Sequence, residues 1–150
     1  MSTIDFDDGR SATAPSPQNL KIAIIGLGYG GLPLAVEFGK KVNTVGFDID
    51  GRRVAELKTG HDRTREADAA EIASATHLRF TLDRADLEQC NVFVVTVPTP
   101  VDHDKRPDFT PLIKASETVG SALKPGDTVI YESTVYPGAT EEVCIPILEK

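Results

Sequence analysis

The segment Gly26-Leu27-Gly28-Tyr29-Gly30-Gly31 narrows the possible folds more than any other part of the chain. It fits G-x-G-x-x-G, a weak pattern when it stands alone. Here it follows KIAIIG (21–26), a short apolar run closed by glycine, as buried strands often are. It leads into LPLAVEFGKK (32–41), where apolar residues recur at helical spacing and Pro33 falls in the first turn. In that setting Gly26 permits a tight turn, Gly28 lets a pyrophosphate approach bare backbone, and Gly31 lets the helix pack closely on the strand. The unpaired amides and positive dipole end of the helix then face the phosphates. Asp48 follows Gly28 by about 20 residues, at the end of the next apolar run, where a carboxylate holds the ribose hydroxyls. An acid there repels a 2′-phosphate, which favours NAD over NADP. Arg52 and Arg53 act the other way, since arginine near that position can receive such a phosphate. The bland alternative is a glycine turn without a ligand and a simple strand-end aspartate. Strand, three glycines, helix and acid in the right order weigh against it.

Further along, strand-like and helix-like segments alternate. NTVGFDI (43–49) reads as a second strand and DGRRVAELKTG (50–60) as a helix with Lys58 in its last turn and Gly60 as its stop. TREADAAEIASA (64–75) is polar and helix-prone, and HLRFT (77–81) is a short third strand. NVFVVTV (91–97) is the most apolar strand and belongs centrally in a sheet. PLIKASETVGSALKPG (111–126) is a helix opened by proline and stopped by Pro-Gly, DTVIYEST (127–134) a fifth strand, and GATEEVCIPILEK (138–150) the start of another helix. This alternation predicts an α/β fold: a doubly wound, Rossmann-like parallel sheet of about five strands in the order 3-2-1-4-5. Residues 1–19 are acidic, then rich in Ser, Ala and Pro, and read as a flexible tail ahead of a domain over 20–150. The end at Lys150, with no following strand, is expected of a fragment of a longer enzyme.

A net charge of -7, with no basic stripe, argues against nucleic acid as a partner. No apolar stretch approaches the ~18 residues of a membrane span. Without a basic-then-apolar leader, a cytoplasmic location is expected. Cys90 and Cys144 do not make a disulfide framework, and each reads as a small buried hydrophobe. His103 lies between Asp102 and Asp104, but adjacent side chains on a loop seldom converge on one ion, so no metal is expected. VDHDKRPDFT (101–110) reads instead as a mobile loop over the cofactor edge, with Lys105, like Lys114, a solvated charge.

The wording of the motifs goes further than a generic dinucleotide fold. GLGYGGLPLAVEFGK, VGFDIDGRRVAEL, VTVPTP and YESTVYPGATEE together resemble the UDP-glucose/GDP-mannose dehydrogenase family, and within it the bacterial branch that oxidises UDP-N-acetylhexosamines. The resemblance runs from about Lys21 to Lys150. It implies that Gly26, Gly28, Tyr29, Gly30 and Gly31 form the pyrophosphate loop. It places Asp48 on the adenosine ribose, Arg53 by the adenosine end, and Thr99 near the cofactor beyond the fourth strand. Thr134 would lie by the nicotinamide and help to place a catalytic water. A turn-capping role remains open for Thr99, and a backbone-satisfying one for Thr134. Glu132, where some branches have lysine, fits the acetamido-sugar branch better. Gly30 departs from the family pattern, which has Val or Ile there; glycine raises the entropy lost when the loop is ordered.

The family oxidises a primary alcohol at C6 to a carboxylate in two NAD-dependent hydride transfers, with a cysteine thiol trapping the aldehyde. The resemblance places that thiol, and most of the sugar-nucleotide site, in segments later than these. The chain is therefore expected to bind NAD without turning over a UDP-sugar, its substrate in the parent enzyme, where a homodimer is possible. Two rival readings are a dehydrogenase of the β-hydroxyacid type and a non-catalytic binding or interaction module. The first would not carry GYxGLP, nor ESTVYPG a hundred residues on.

Overall fold

A computed structural model of the chain describes residues 2–5, 19–98, 100–101, 103–104, 106–132 and 145–149. Its strands are β1 (Ser2–Asp5), β2 (Lys21–Ile25), β3 (Asn43–Phe47), β4 (Leu78–Thr81), β5 (Val92–Val95) and β6 (Thr128–Tyr131). Its helices are α1 (Gly31–Gly39), α2 (Gly51–Lys58), α3 (Ala69–Ser74), α4 (Thr110–Ala122) and α5 (Ile145–Leu148), with a 3₁₀ turn at Arg84–Gln89.

The sheet runs β1-β6-β5-β2-β3-β4. Its five strands from β2 to β6 are mutually parallel, in the expected order. The chain moves outward from β2 through β3 to β4, then returns to place β5 on the other side of β2. That reversal opens a crevice beyond the carboxyl ends of β2 and β5, where open α/β sheets take their ligands.

Period-two alternation divides β2 between two cores. Ala23 and Ile25 face a cluster with Phe93, Val95, Leu112 and Val119, beneath α4. Ile22 and Ile24 face the opposite cluster, with Leu32, Val36, Val54 and Leu57 from α1 and α2. Burial on both faces is why β2 after Lys21, and β5, are apolar without interruption. Cys90 lies in the first cluster, 1% exposed, and burial pushes its thiol up to about 11, so it is a core residue and no nucleophile. Cys144 lies outside the described residues.

Two segments differ from the sequence reading. Ser2–Asp5, expected to be tail, forms β1, antiparallel to β6, with Ser2 opposite Tyr131 and Asp5 opposite Thr128. β1 thus covers the edge of β6 that faces away from β5, as an extended segment covers an open sheet edge. The polar helix is also shorter than its pattern, since α3 begins only at Ala69. The preceding residues turn around the carboxylate of Asp62, which accepts from the backbone N–H groups of Thr64, Glu66 and Ala67. Arg65 takes a positive φ of 57° in that turn.

Candidate dinucleotide site

The loop after β2 is tied to its neighbouring strands by backbone and hydroxyl. Gly26 N–H donates to the Phe47 carbonyl at 2.8 Å, and the Thr96 hydroxyl donates to the Gly26 carbonyl at 2.7 Å. The four glycines are glycine for different reasons. Gly26 has φ +100°, and a Cβ there would stand 3.0 Å from Val97 Cγ1, so a side chain is strained. A Cβ on Gly31 would stand 1.7 Å from the Gly26 carbonyl oxygen, so only glycine lets α1 start so near β2. Gly28 and Gly30 are exposed, and a Cβ on either would meet nothing within 4 Å. Packing gives no reason for glycine at position 28. A ligand lying against its backbone would.

α1 starts with no side-chain cap and no acid in its first turn; Leu32 N–H donates to the Gly28 carbonyl at 3.1 Å and Pro33 has no N–H, so the positive dipole end and the loop amides ahead of Leu32 are what an anion would meet. Asp48 follows β3 with both carboxylate oxygens engaged. Oδ2 accepts from Leu27 N–H at 3.0 Å, and Oδ1 accepts from Asp50 N–H at 2.9 Å. A carboxylate has about four lone-pair positions, which leaves acceptor capacity for a vicinal diol.

These residues converge on a cavity of about 260 Å³ beyond the carboxyl ends of β2, β3 and β5. Gly26, Leu27, Gly28, Asp48, Ile49, Val97 and Pro98 line it, and Lys114 and Thr118 on α4 close the opposite wall. A hollow of about 510 Å³ lies at the other end of the strands, around Lys21, Asn43, His77 and Arg79, away from the glycine loop.

The structure thus brings Gly26, Gly28 and Asp48 together, with Gly31 directly behind them. Tyr29 and Gly30 are exposed on the loop and do not line the cavity. Arg53 does not line it either. Its side chain runs beneath the loop, 3% exposed, with Nε donating to the Leu27 carbonyl at 2.8 Å and Nη1 to Glu56 and Asp62 at 2.9 and 2.8 Å. Thr99 and Thr134 lie outside the described residues, as do Asp102 and Lys105. His103 is exposed, with Nε2 3.4 Å from Asp104.

Three contributors escaped the sequence reading. Thr96 locks the loop, and its only signal was a hydroxyl ending the most apolar strand. Lys114, read as a solvated charge, is exposed yet stands on the cavity wall. Asp62 was not singled out, although Thr64, Glu66 and Ala67, which supply four of its five donors, follow within five residues; Arg53 reaches it from the preceding helix.

A model of the UDP-glucose/GDP-mannose dehydrogenase family, NAD binding domain, matches residues 20–150. The chain belongs to this family. It is 65% identical over 133 residues to a UDP-N-acetyl-D-glucosamine 6-dehydrogenase of Pseudomonas aeruginosa, covering 89% of this chain and 32% of that protein. It is 57% identical over 131 residues to the Salmonella typhi enzyme of the same name, covering 87% and 31%. Among solved structures, a UDP-D-ManNAc dehydrogenase from Pyrococcus horikoshii superposes with a TM-score of 0.78 at 37% identity, covering 87% of this chain and 32% of that one. The chain therefore spans about a third of these relatives and corresponds to their NAD-binding domain. The family's cofactor fits what the residues offer: an open amide cradle at Gly28, an uncapped helix end and a carboxylate poised for a diol. No helix among the described residues is long and apolar enough to cross a membrane.

Proposed function

We propose that this chain forms the cofactor half of a cytoplasmic nucleotide-sugar 6-dehydrogenase that oxidises a UDP-N-acetylhexosamine to its uronic acid, for surface polysaccharide. The observation that carries the cofactor reading is Gly28, bare and exposed beside Asp48 with no packing reason to lack a side chain. The substrate reading rests on the relatives, two of which are named UDP-N-acetyl-D-glucosamine 6-dehydrogenases at 65% and 57% identity. NAD supplies the hydride acceptor when bound. The chain's own residues hold and orient it: amides at Gly28 and the start of α1 take the pyrophosphate, and Asp48 takes the adenosine ribose. By family resemblance Thr99 is assigned near the cofactor, and Thr134 to the nicotinamide and to placing a water. In the parent enzyme the partner is a UDP-sugar, with a second copy of the chain as a homodimer.

Calorimetric titration of the 150-residue chain with NAD and NADP tests this. Saturable binding of NAD, weaker binding of NADP, and loss of NAD binding in Asp48→Ala are expected. A folded chain that binds neither nucleotide would overturn the cofactor reading. With UDP-N-acetylglucosamine added, this chain alone is expected to form no NADH, followed by absorbance; sustained formation would overturn the division of labour proposed here.

A further inference from the structure

The dinucleotide site has a buried support outside the glycine loop, centred on Asp62. Its side chain is fully buried and accepts from five donors: Arg53 Nη1, the Thr64 hydroxyl, and the backbone N–H groups of Thr64, Glu66 and Ala67. Arg53 is almost as deeply buried and is shared among Asp62, Glu56 and the Leu27 carbonyl, with Thr64 Oγ1 at 3.5 Å from Nη2. On its other side the Leu27 peptide N–H is held by Asp48. Both polar groups of the residue preceding Gly28 are therefore gripped by the segment that follows β3: the amide directly by Asp48, the carbonyl by Arg53.

A buried guanidinium needs an anion close by, and Asp62 supplies it from nine residues further along the chain. Removal of that anion leaves the buried Arg53 to Glu56, the more exposed of its two carboxylate partners. Its planar fork, which sets the direction of Nε–H, then loses one of the two anchors at Nη1.

We propose that Asp62 is a positioning residue of the dinucleotide site, holding Arg53 so that Arg53 fixes the Leu27 carbonyl and presents the Gly28 amide to the pyrophosphate. This rests on the NAD-binding reading above and adds to it two residues that act beneath the loop without lining the cavity. It also gives Arg53 an occupation that keeps it from serving a 2′-phosphate beside Asp48. The discrimination between NAD and NADP therefore depends on Asp62 as well as on Asp48.

Two variants of the 150-residue chain test the proposal, Arg53→Lys and Asp62→Asn. Arg53→Lys keeps a cation for Asp62 and Glu56 but has no Nε–H to direct at the Leu27 carbonyl, so it is the one expected to stay folded. The first measurement needs no ligand: amide hydrogen exchange, with circular dichroism to establish folding. Faster exchange at Leu27, Gly28 and Tyr29 than in the wild type, with β2 and β5 still protected, is expected. Unchanged loop exchange in folded Arg53→Lys would overturn the proposal whatever NAD does. The second measurement is titration with NAD, NADP and AMP. NAD affinity is expected to fall roughly tenfold in Arg53→Lys, about the loss of one charge-assisted hydrogen bond, with AMP affinity little changed. In folded Asp62→Asn the ratio of NAD to NADP affinity is expected to fall as well. An ion pair that merely stabilised the fold would leave NAD affinity unchanged in the folded variants, and that result would also overturn the proposal. Failure of the wild-type chain itself to bind NAD would identify the cofactor reading as the step at fault, and the proposal would fall with it.

Discussion

Gly26 and Gly31 are required by the fold, whereas Gly28 and Gly30 are not, and this difference separates stability from binding. Gly31→Ala would drive a methyl group into the Gly26 carbonyl, forcing α1 away from β2. A loss of about 3 kcal/mol or more is expected, read by urea unfolding, with NAD binding lost alongside. Gly28→Ala meets no protein atom, so the same unfolding curve should stay within about 0.5 kcal/mol of wild type. Its methyl would stand where the pyrophosphate must lie, and NAD affinity should fall at least roughly tenfold. A Gly28→Ala variant that bound NAD normally would remove the reason for reading that glycine as functional. Gly30 gives the opposite case. Its φ of -90° and ψ of -38° suit any residue, and a Cβ meets nothing. Gly30→Ala should therefore raise stability by about 0.4–1 kcal/mol by restricting the unfolded chain, while leaving the backbone amide at that position in place. This agrees with the resemblance, in which Val or Ile is usual at that position.

α2 shows how a single element couples capping to the site. Its N-cap, Asp50, accepts from the backbone N–H groups of Arg52 and Arg53 at 3.0 and 3.4 Å, and its own N–H donates to Asp48. Asp50→Ala should cost about 1 kcal/mol in chemical denaturation and loosen the helix start that carries Arg53. Most of the elements were legible in the sequence, because period-two and helical apolar patterns mark buried strands and amphipathic helices directly. Relative to the predicted runs, NTVGF ends before Asp48 and Ile49, and VFVV lacks Asn91, Thr96 and Val97. The failures have two physical causes. β1 forms because the edge of β6 is there to receive it, and the predicted helix over 64–75 loses its first residues because Asp62 draws their amides into a turn. The partner of β1 is distant in sequence, whereas Asp62 lies only two to five residues before the amides it holds and competes locally with the helix. Within the site, the glycines and Asp48 announce themselves by spacing, while Arg53 beneath Leu27 and Lys114 across the cavity depend on contacts that only the finished sheet creates.

At the scale of the whole molecule, the Asp62 cluster should give folding stability a distinct acid dependence. Burial alone would raise the Asp62 carboxyl, but hydrogen bonds from the Thr64 hydroxyl, Arg53 and the backbone N–H groups of Ala67 and Thr64 outweigh it and hold it far below the usual carboxylate range. Glu56, which faces Arg53 and Arg63, is lowered in the same direction, chiefly by the Arg63 backbone N–H. A carboxylate depressed in the folded state stabilises above its unfolded value, near pH 4, and that contribution is lost as pH falls towards the folded value. Above about pH 4, then, stability should be insensitive to Asp62. Below it, the unfolded chain takes up a proton that the folded chain refuses, and Asp62 alone should reduce stability by up to about 1.4 kcal/mol per pH unit. Asp62→Asn abolishes this titration and leaves Arg53 to Glu56, so at neutral pH it should be roughly 1–3 kcal/mol less stable than wild type. Urea unfolding of both proteins from pH 7 to pH 3 checks the argument, with the gap constant above about pH 4 and narrowing below. A gap that stayed constant down to pH 3 would mean that Asp62 is not the depressed group. A gap that widened would mean that the carboxyl is raised by its burial, with the Arg53 clamp too weak to hold it ionised.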